Sequence, residues 1–364
     1  MSILFSPVDV GPITARNRAW VSPMCQYSSE QQDGMPGDWH VEHLASMARG
    51  GAGLVMTEAT AVVPEGRISP WDTGIWNDQQ ADAWASVAAR IRAHGAVPAM
   101  QLAHAGRKAS THRQWSGSGS VPVSEGGWET VAPSAQRFEG YAEPRAMTAD
   151  ELEALPEAFA AAAHRAVAAG FEALEVHAAH GYLLHQLLSP LSNLRDDAYA
   201  EGRAMLARVV RAVREAAPDA AVMVRLSASD WVPGGIDAPH TVETARAAVD
   251  AGADWIDVSS GGLDARQEIT IGQGYQVPFA RAVREALGGA AGVNAVGMID
   301  TAEYAERVLA SGDADAVMLA RPWLRNPHWA LLAEAELDGA SGSSVDGASV
   351  WPPQYTRARP RPSS

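Results

Sequence analysis

The chain has 364 residues, 28 Lys and Arg against 43 Asp and Glu, and a formal net charge of −15, with 47% of its residues apolar. That composition supplies a large soluble core, and the negative balance excludes a nucleic-acid backbone or an anionic lipid surface as partner. Cys25 is the only cysteine, which excludes an intrachain disulfide, a cysteine-ligated iron–sulfur cluster and a zinc ribbon, and favours a reducing, cytoplasmic setting.

The start of the chain carries no cationic stretch leading into an apolar one, and no apolar run approaches about 18 residues, so neither export nor a membrane span is expected. Eight short apolar runs follow in order: Ala19–Met24, Gly53–Glu58, Val97–Leu102, Ala173–His177, Val222–Leu226, Trp255–Ser259, Val293–Gly297 and Ala316–Ala320. Each has the character of a parallel strand buried on both faces. Helical patterns alternate with them, clearest at Asp78–His94 with Asp78 as N-cap, at Thr148–Gly170 with Thr148 and Glu151 as a capping box, and at Thr301–Ala310. This alternation predicts a (β/α)8 barrel. A doubly wound nucleotide fold would need a glycine-rich turn directly after a strand, whereas Gly50–Gly53 precedes one.

Residues 103–147, after the third run, are too long for an ordinary strand–helix connection and predict a lid over the barrel mouth. Trp115, Trp128, Phe138 and Tyr141 would anchor it. The expected organisation is one barrel domain over residues 1–337, then a Gly/Ser-rich flexible linker and tail over 338–364.

Barrel chemistry gathers at the C-terminal strand ends. Those ends deliver Ser22, Pro23, Met24, Cys25, Gln26 and Tyr27, then Gln101 and His104, then His177, His180 and Tyr182, then Arg225, Ser259, Gly297 and Arg321. The turns at Gly297 and Arg321 match a barrel phosphate site and imply a phosphorylated ligand. The His177/His180 spacing is not that of helical zinc ligands, and it suits hydrogen bonding to a carbonyl beside a proton-donating Tyr182. A pair of satisfied core histidines is the bland alternative. Cys25 is either an apolar filler or a cofactor contact. Arg225, inside an apolar strand, needs an anion, an electron-rich ring or an ion-pair partner. Lys108 is the only lysine and lies off the strands, the wrong place for a barrel Schiff base.

Taken in series, Ala15-Arg16-Asn17-Arg18, Ser22-Pro23-Met24-Cys25-Gln26-Tyr27, the Gln101–Lys108 stretch and His177-Ala178-Ala179-His180-Gly181-Tyr182 resemble the Old Yellow Enzyme family of flavin-dependent ene-reductases, in its short thermophilic-like class. The similarity runs from about Phe5 to Arg357. It implies a tightly bound, non-covalent FMN reduced by NADPH and reoxidised by an enone, enal, maleimide or nitro compound. In that family the positions matching Ser22, Pro23, Met24, Cys25 and Ala59 contact the flavin. Gln101 matches a residue on its pyrimidine edge, Arg225 a cation near N1 and O2, and Gly297, Ala320 and Arg321 the phosphate cradle. His177 and His180 match the pair that binds the acceptor's oxygen, Tyr182 the proton donor and Tyr27 a substrate-side residue. Arg357 matches an arginine that reaches a neighbouring subunit's site, so a homodimer or larger assembly is expected. The chain departs from the family at Ala200–Arg203, where its loop is shorter. Larger barrel reductases with an iron–sulfur cluster are excluded by the cysteine count. A flavin-binding redox sensor acting through Cys25 and a metal-dependent hydrolase using His104, His177 and His180 stay as alternatives.

Overall fold

The computed structural model describes residues 2–341 and 349–360. Eight parallel strands close a barrel in sequence order: β1 (Ala19–Val21), β2 (Leu54–Ala61), β3 (Val97–Ala103), β4 (Ala173–Ala178), β5 (Ala221–Ser227), β6 (Trp255–Ser259), β7 (Gly292–Val296) and β8 (Ala316–Leu319). The principal helices around it are α1 (Asp38–Arg49), α2 (Asp78–Ala93), α3 (Leu155–Ala168), α4 (Gly202–Ala216), α5 (Ala238–Asp250), α6 (Val277–Leu287), α7 (Ala302–Ala310) and α8 (Trp329–Ser341). The expected (β/α)8 barrel is therefore the observed fold, with all eight runs as strands. Among the described residues no helix is long and apolar enough to cross a membrane.

Strand alternation divides the interior into layers. On β5, Val222, Val224 and Leu226 face the strand–helix core, while Ala221 and Met223 join a second cluster with Trp20, Met56 and Trp255. The antiparallel hairpin of Val8–Val10 and Ile13–Ala15 contributes Val10 and Ala15 to that second cluster. The inner face then turns polar along the strands: Glu175 and His177 on β4, Arg225 on β5, Asp257 on β6 and Asn294 on β7 are all buried. So the strands are buried on both faces as expected, but the inner face carries a buried polar layer.

Local signals differ from expectation in small ways. Asn77, not Asp78, caps α2, since its side chain accepts from Gln80 N at 2.9 Å. The 148–170 pattern forms two helices, Ala149–Glu153 and Leu155–Ala168, with Thr148 capping the first as a box with Glu151. Pro156, at the start of the second, cannot donate into the preceding turn. The shortened Ala200–Arg203 loop closes directly into α4, where Glu201 caps the helix through Arg203 N.

Helix α8 runs to Ser341 and so covers the first residues of the segment expected as linker. Ala, Leu and Glu over 330–337 favour helix and carry it into 338–341, where Gly339 costs only about 1 kcal/mol. Residues 342–348 and 361–364 lie outside the described residues. Trp351 docks the tail: it packs with Leu331 and Val350, and its indole donates to Leu331 O at 3.1 Å.

Trp20 and Trp255 meet in the inner cluster with ring centroids 4.8 Å apart, and the Trp20 indole donates to Asn17 O at 2.9 Å. Trp20→Ala is expected to cost about 3–5 kcal/mol in equilibrium urea unfolding. A loss below about 1 kcal/mol would show that this layer carries little of the fold's stability.

Candidate active site

The site is built on the exit of β4. His180 and Gly181 both adopt left-handed backbone, φ 57° and 73°, and a Cβ at position 181 would lie 2.2 Å from Gly262 O. Only glycine fits there. This turn gathers three side chains, with the His177 ring 5.2 Å from that of His180 and 5.0 Å from that of Tyr182. Neighbouring strands fix it, since His180 N donates to Ser227 Oγ at 2.9 Å and His180 Nε2 bonds Ser259 Oγ at 2.8 Å. Behind it, Gly181 N donates to His185 Nδ1 at 2.8 Å, and His185 Nε2 lies 2.9 Å from Asp230. Lys108 Nζ closes the turn from the 103–147 segment, donating to His180 O at 2.9 Å and Gly262 O at 2.8 Å.

Both imidazoles are neutral at pH 7. Burial, and next the charge of Arg225, hold His177 and His180 well below the ordinary imidazole range. Ala179 N donates to His177 Nδ1 at 3.3 Å, which assigns the ring proton of His177 to Nε2. Burial pushes the Tyr182 phenol well above its usual value and keeps it protonated. Lys108 is pushed down to about 8 by burial and by Arg107.

The expected cofactor residues divide into two groups. Ser22, Pro23, Arg225, Gly297, Ala320 and Arg321 line one cavity of about 210 Å³, with Asp300 also in its wall. Cys25 and Ala59 pack with Tyr27, Trp128 and Tyr182 in an apolar cluster, and the strand irregularity between Met56 and Ala59 sets the register there. Met24 packs against the main core and lines a small cavity with Ser22 and Glu58. Gln101 is buried, its amide donating to Glu175 Oε1 at 2.7 Å. Arg357 stands apart, exposed on the short turn Pro353–Ala358.

This arrangement fits a flavin mononucleotide. The cavity joins a buried guanidinium, Arg225, to an exposed one, Arg321, and so offers one cation to an electron-rich ring edge and another to a phosphate. At Gly297, φ is 111° and a Cβ would lie 2.5 Å from Gln276 Nε2, whose amide is held by Val296 O and Ser260 Oγ. Gly297 therefore keeps the turn after β7 bare for close approach of a ligand.

Three residues of the site escaped the sequence expectations. Lys108 looked misplaced because its segment has no period, and its being the only lysine was the available signal. Glu175 and Asp257 were legible only as acids inside apolar runs. The Cys25 thiol is raised by burial and by Asp72 and Glu58, which works against a reactive thiolate. Among the described residues no three His, Cys, Asp or Glu side chains are placed to hold a metal ion.

Fold and mouth together define a flavin-type barrel oxidoreductase. The profile of the NADH:flavin oxidoreductase / NADH oxidase family matches residues 3–339. An NADPH dehydrogenase of Geobacillus sp. (strain WCH70) is 42% identical over 355 residues, 96% of this chain and 99% of that protein. One of Halalkalibacterium halodurans is 41% identical over 358 residues, 98% of both chains. Morphinone reductase superposes with a TM-score of 0.75 at 27% identity, over 96% of this chain and 93% of that one. A 2-naphthoyl-CoA reductase shares the fold, with a TM-score of 0.82 at 23% identity, although this chain spans only 52% of its length. The chain belongs to the NADH:flavin oxidoreductase / NADH oxidase family, the Old Yellow Enzyme family, and is an oxidoreductase with FMN as cofactor.

Gly297→Val is expected to weaken FMN binding at least tenfold, about 1.4 kcal/mol, in a fluorescence titration, with the circular dichroism spectrum unchanged. Unaltered affinity would remove the turn after β7 from the cofactor site.

Proposed function

We propose that this chain is an NADPH-dependent ene-reductase that reduces the C=C bond of α,β-unsaturated carbonyl or nitro compounds. The observation that carries the proposal is the pair of neutral imidazoles, His177 and His180, beside a protonated Tyr182 at the mouth of a flavin-binding barrel. FMN, held by Arg225, Arg321 and the bare turn at Gly297, would supply the hydride chemistry between NADPH and the electron-poor alkene.

Charge then dictates what the side chains do. As the β-carbon gains hydride, negative charge grows on the acceptor's oxygen. Two neutral N–H donors stabilise that charge there without themselves having to lose a proton. The ring proton on His177 Nε2 serves as one donor. His180 exchanges its Ser259 contact for the acceptor to serve as the other. Tyr182 delivers its phenolic proton to the α-carbon. An alkene without an oxygen to collect charge has no partner for the imidazoles and is not a substrate.

Cys25, Tyr27 and Trp128 give the acceptor an apolar wall. The 103–147 segment acts as the lid, and its contacts support this. Arg113 pairs with Glu30 after β1, the Trp128 indole donates to Glu65 O after β2, and Arg107 donates to Leu263 O after β6. NADPH and the acceptor use the same mouth in turn. The tail, anchored by Trp351, presents an exposed Arg357 to the site of a second copy in a homodimer. One cysteine, half-buried and with a raised pKa, suits a cytoplasmic enzyme and gives the redox-sensor alternative no observation in its favour.

Stopped-flow measurement of the oxidative half-reaction with 2-cyclohexenone tests the roles. Tyr182→Phe is expected to slow it about 10²–10⁴-fold, and His177→Ala about 10²–10³-fold. Wild-type rates in both variants would overturn the proposal.

The rate should also fall on the alkaline side with an apparent pKa of about 8, as Lys108 passes from cation to neutral amine. Lys108→Met should lose this limb. The imidazoles, neutral throughout, should add no limb between about pH 6 and 8.

A further inference from the structure

The barrel buries more acid than its arginine can neutralise. Arg225 on β5 is paired in register with Asp257 on β6, and its Nε lies 3.1 Å from Asp257 Oδ2. Asn294 on β7 donates to the other oxygen of Asp257 at 2.6 Å. Glu175 on β4 is in register with Gln101 on β3, whose amide donates to its Oε1 at 2.7 Å. Both carboxyls have 0% exposure. If both were ionised, the set of Arg225, Asp257 and Glu175 would carry a net negative charge away from water, which is costly.

The unused oxygens show how that charge is removed. Glu175 Oε2 and Asp257 Oδ2 each lack a well-formed hydrogen bond from any N–H or hydroxyl. Each of the two carboxyls bears on the other's proton affinity, so these orphaned oxygens belong to neighbouring groups. Two buried carboxylates so placed would repel each other and leave both oxygens unsatisfied, whereas one carboxylic acid and one carboxylate can share a hydrogen bond.

We propose that Glu175 and Asp257 hold a single shared proton beside Arg225, and that this carboxyl pair sets the net charge the barrel presents to the flavin. The flavin half rests on the cofactor assignment above; the shared proton does not. Glu175 carries the proton, because Arg225 and Asn294 favour the charge on Asp257. Burial raises both groups, and the charge of Asp257 raises Glu175 further, so the two titrate as a unit. Arg225 is the charged group facing the pair. Gln101 and Asn294 are neutral amides, and His177, two residues along β4, is a neutral imidazole.

The charge balance then has a functional consequence. With the proton in place, Arg225, Asp257 and Glu175 sum to zero, and the guanidinium side that lines the flavin cavity stays attractive to an electron-rich ring. Loss of the proton at alkaline pH would add a negative charge beside Arg225 and disfavour the reduced cofactor, which is the more negative one. Glu175 is thus a positioning residue that acts through Arg225.

Infrared difference spectroscopy on wild type against Glu175→Gln is the test. Glu58 and Asp72, buried carboxyls with raised pKa values, occur in both proteins and cancel. The difference is expected to contain one carboxylic-acid C=O band, with and without FMN. Asp257→Asn should lose the same band, because Glu175 then becomes the carboxylate partner of Arg225, so this variant substitutes if Glu175→Gln does not fold. Spectroelectrochemistry of the FMN-loaded proteins should show an alkaline break in the wild-type flavin potential that is missing in Glu175→Gln. No acid band in either difference overturns the shared proton. A band with flavin potentials that track each other at every pH overturns the link to the cofactor. A chain that takes up no FMN overturns the cofactor assignment, and the infrared result still decides the pair.

Discussion

A guanidinium buried inside a β-barrel must be compensated, and the polar layer of this barrel is organised around that demand. Arg225 draws Asp257 and Ser22 to itself, and Asn294 secures Asp257 from the next strand. The same charge reaches His177 and His180, where it adds to burial in keeping both rings neutral. In the proposed reaction one cation would answer to both sides, as a partner for the cofactor and as a charge that helps keep the two imidazoles neutral.

Backbone conformation does the rest of the positioning. The left-handed pair His180 and Gly181 folds the end of β4 back so that residues 177, 180 and 182 converge, and Lys108 ties the turn to the loop after β6. Rigid strands and short turns carry these groups, while the long segment after β3 crosses several loops of the mouth. This division of labour suits the proposed chemistry, because side chains on rigid elements are held in place before a substrate arrives.

The barrel was legible in the sequence because eight apolar runs alternating with helical periods leave few other architectures. Strand-end residues were legible for the same reason, since topology places them at one mouth. What escaped was set by tertiary contact. Glu175 and Asp257 read as single acids within apolar runs, and only the register of β3–β7 makes them partners. Lys108 sits in a segment without periodicity, so nothing local gave its target. Helix α8 outruns the expected boundary because the Ala-, Leu- and Glu-rich run of 330–337 propagates into residues 338–341, whose own Asp, Gly and Ser are weaker helix formers. Six expected cofactor residues share a cavity, but Gln101 and Arg357 could be placed only by the fold: the first is bonded to Glu175, the second is exposed on the tail.

Ene-reduction requires that FMN bound in this barrel carry electrons from NADPH to an activated alkene. An anaerobic visible spectrum of the purified protein, recorded as NADPH and then 2-cyclohexenone are added, tests it directly. Flavin bands that bleach with NADPH and return with the enone are the expected result. Bands that bleach and do not return would contradict the ene-reductase assignment, and no flavin spectrum after addition of FMN would contradict the cofactor site itself.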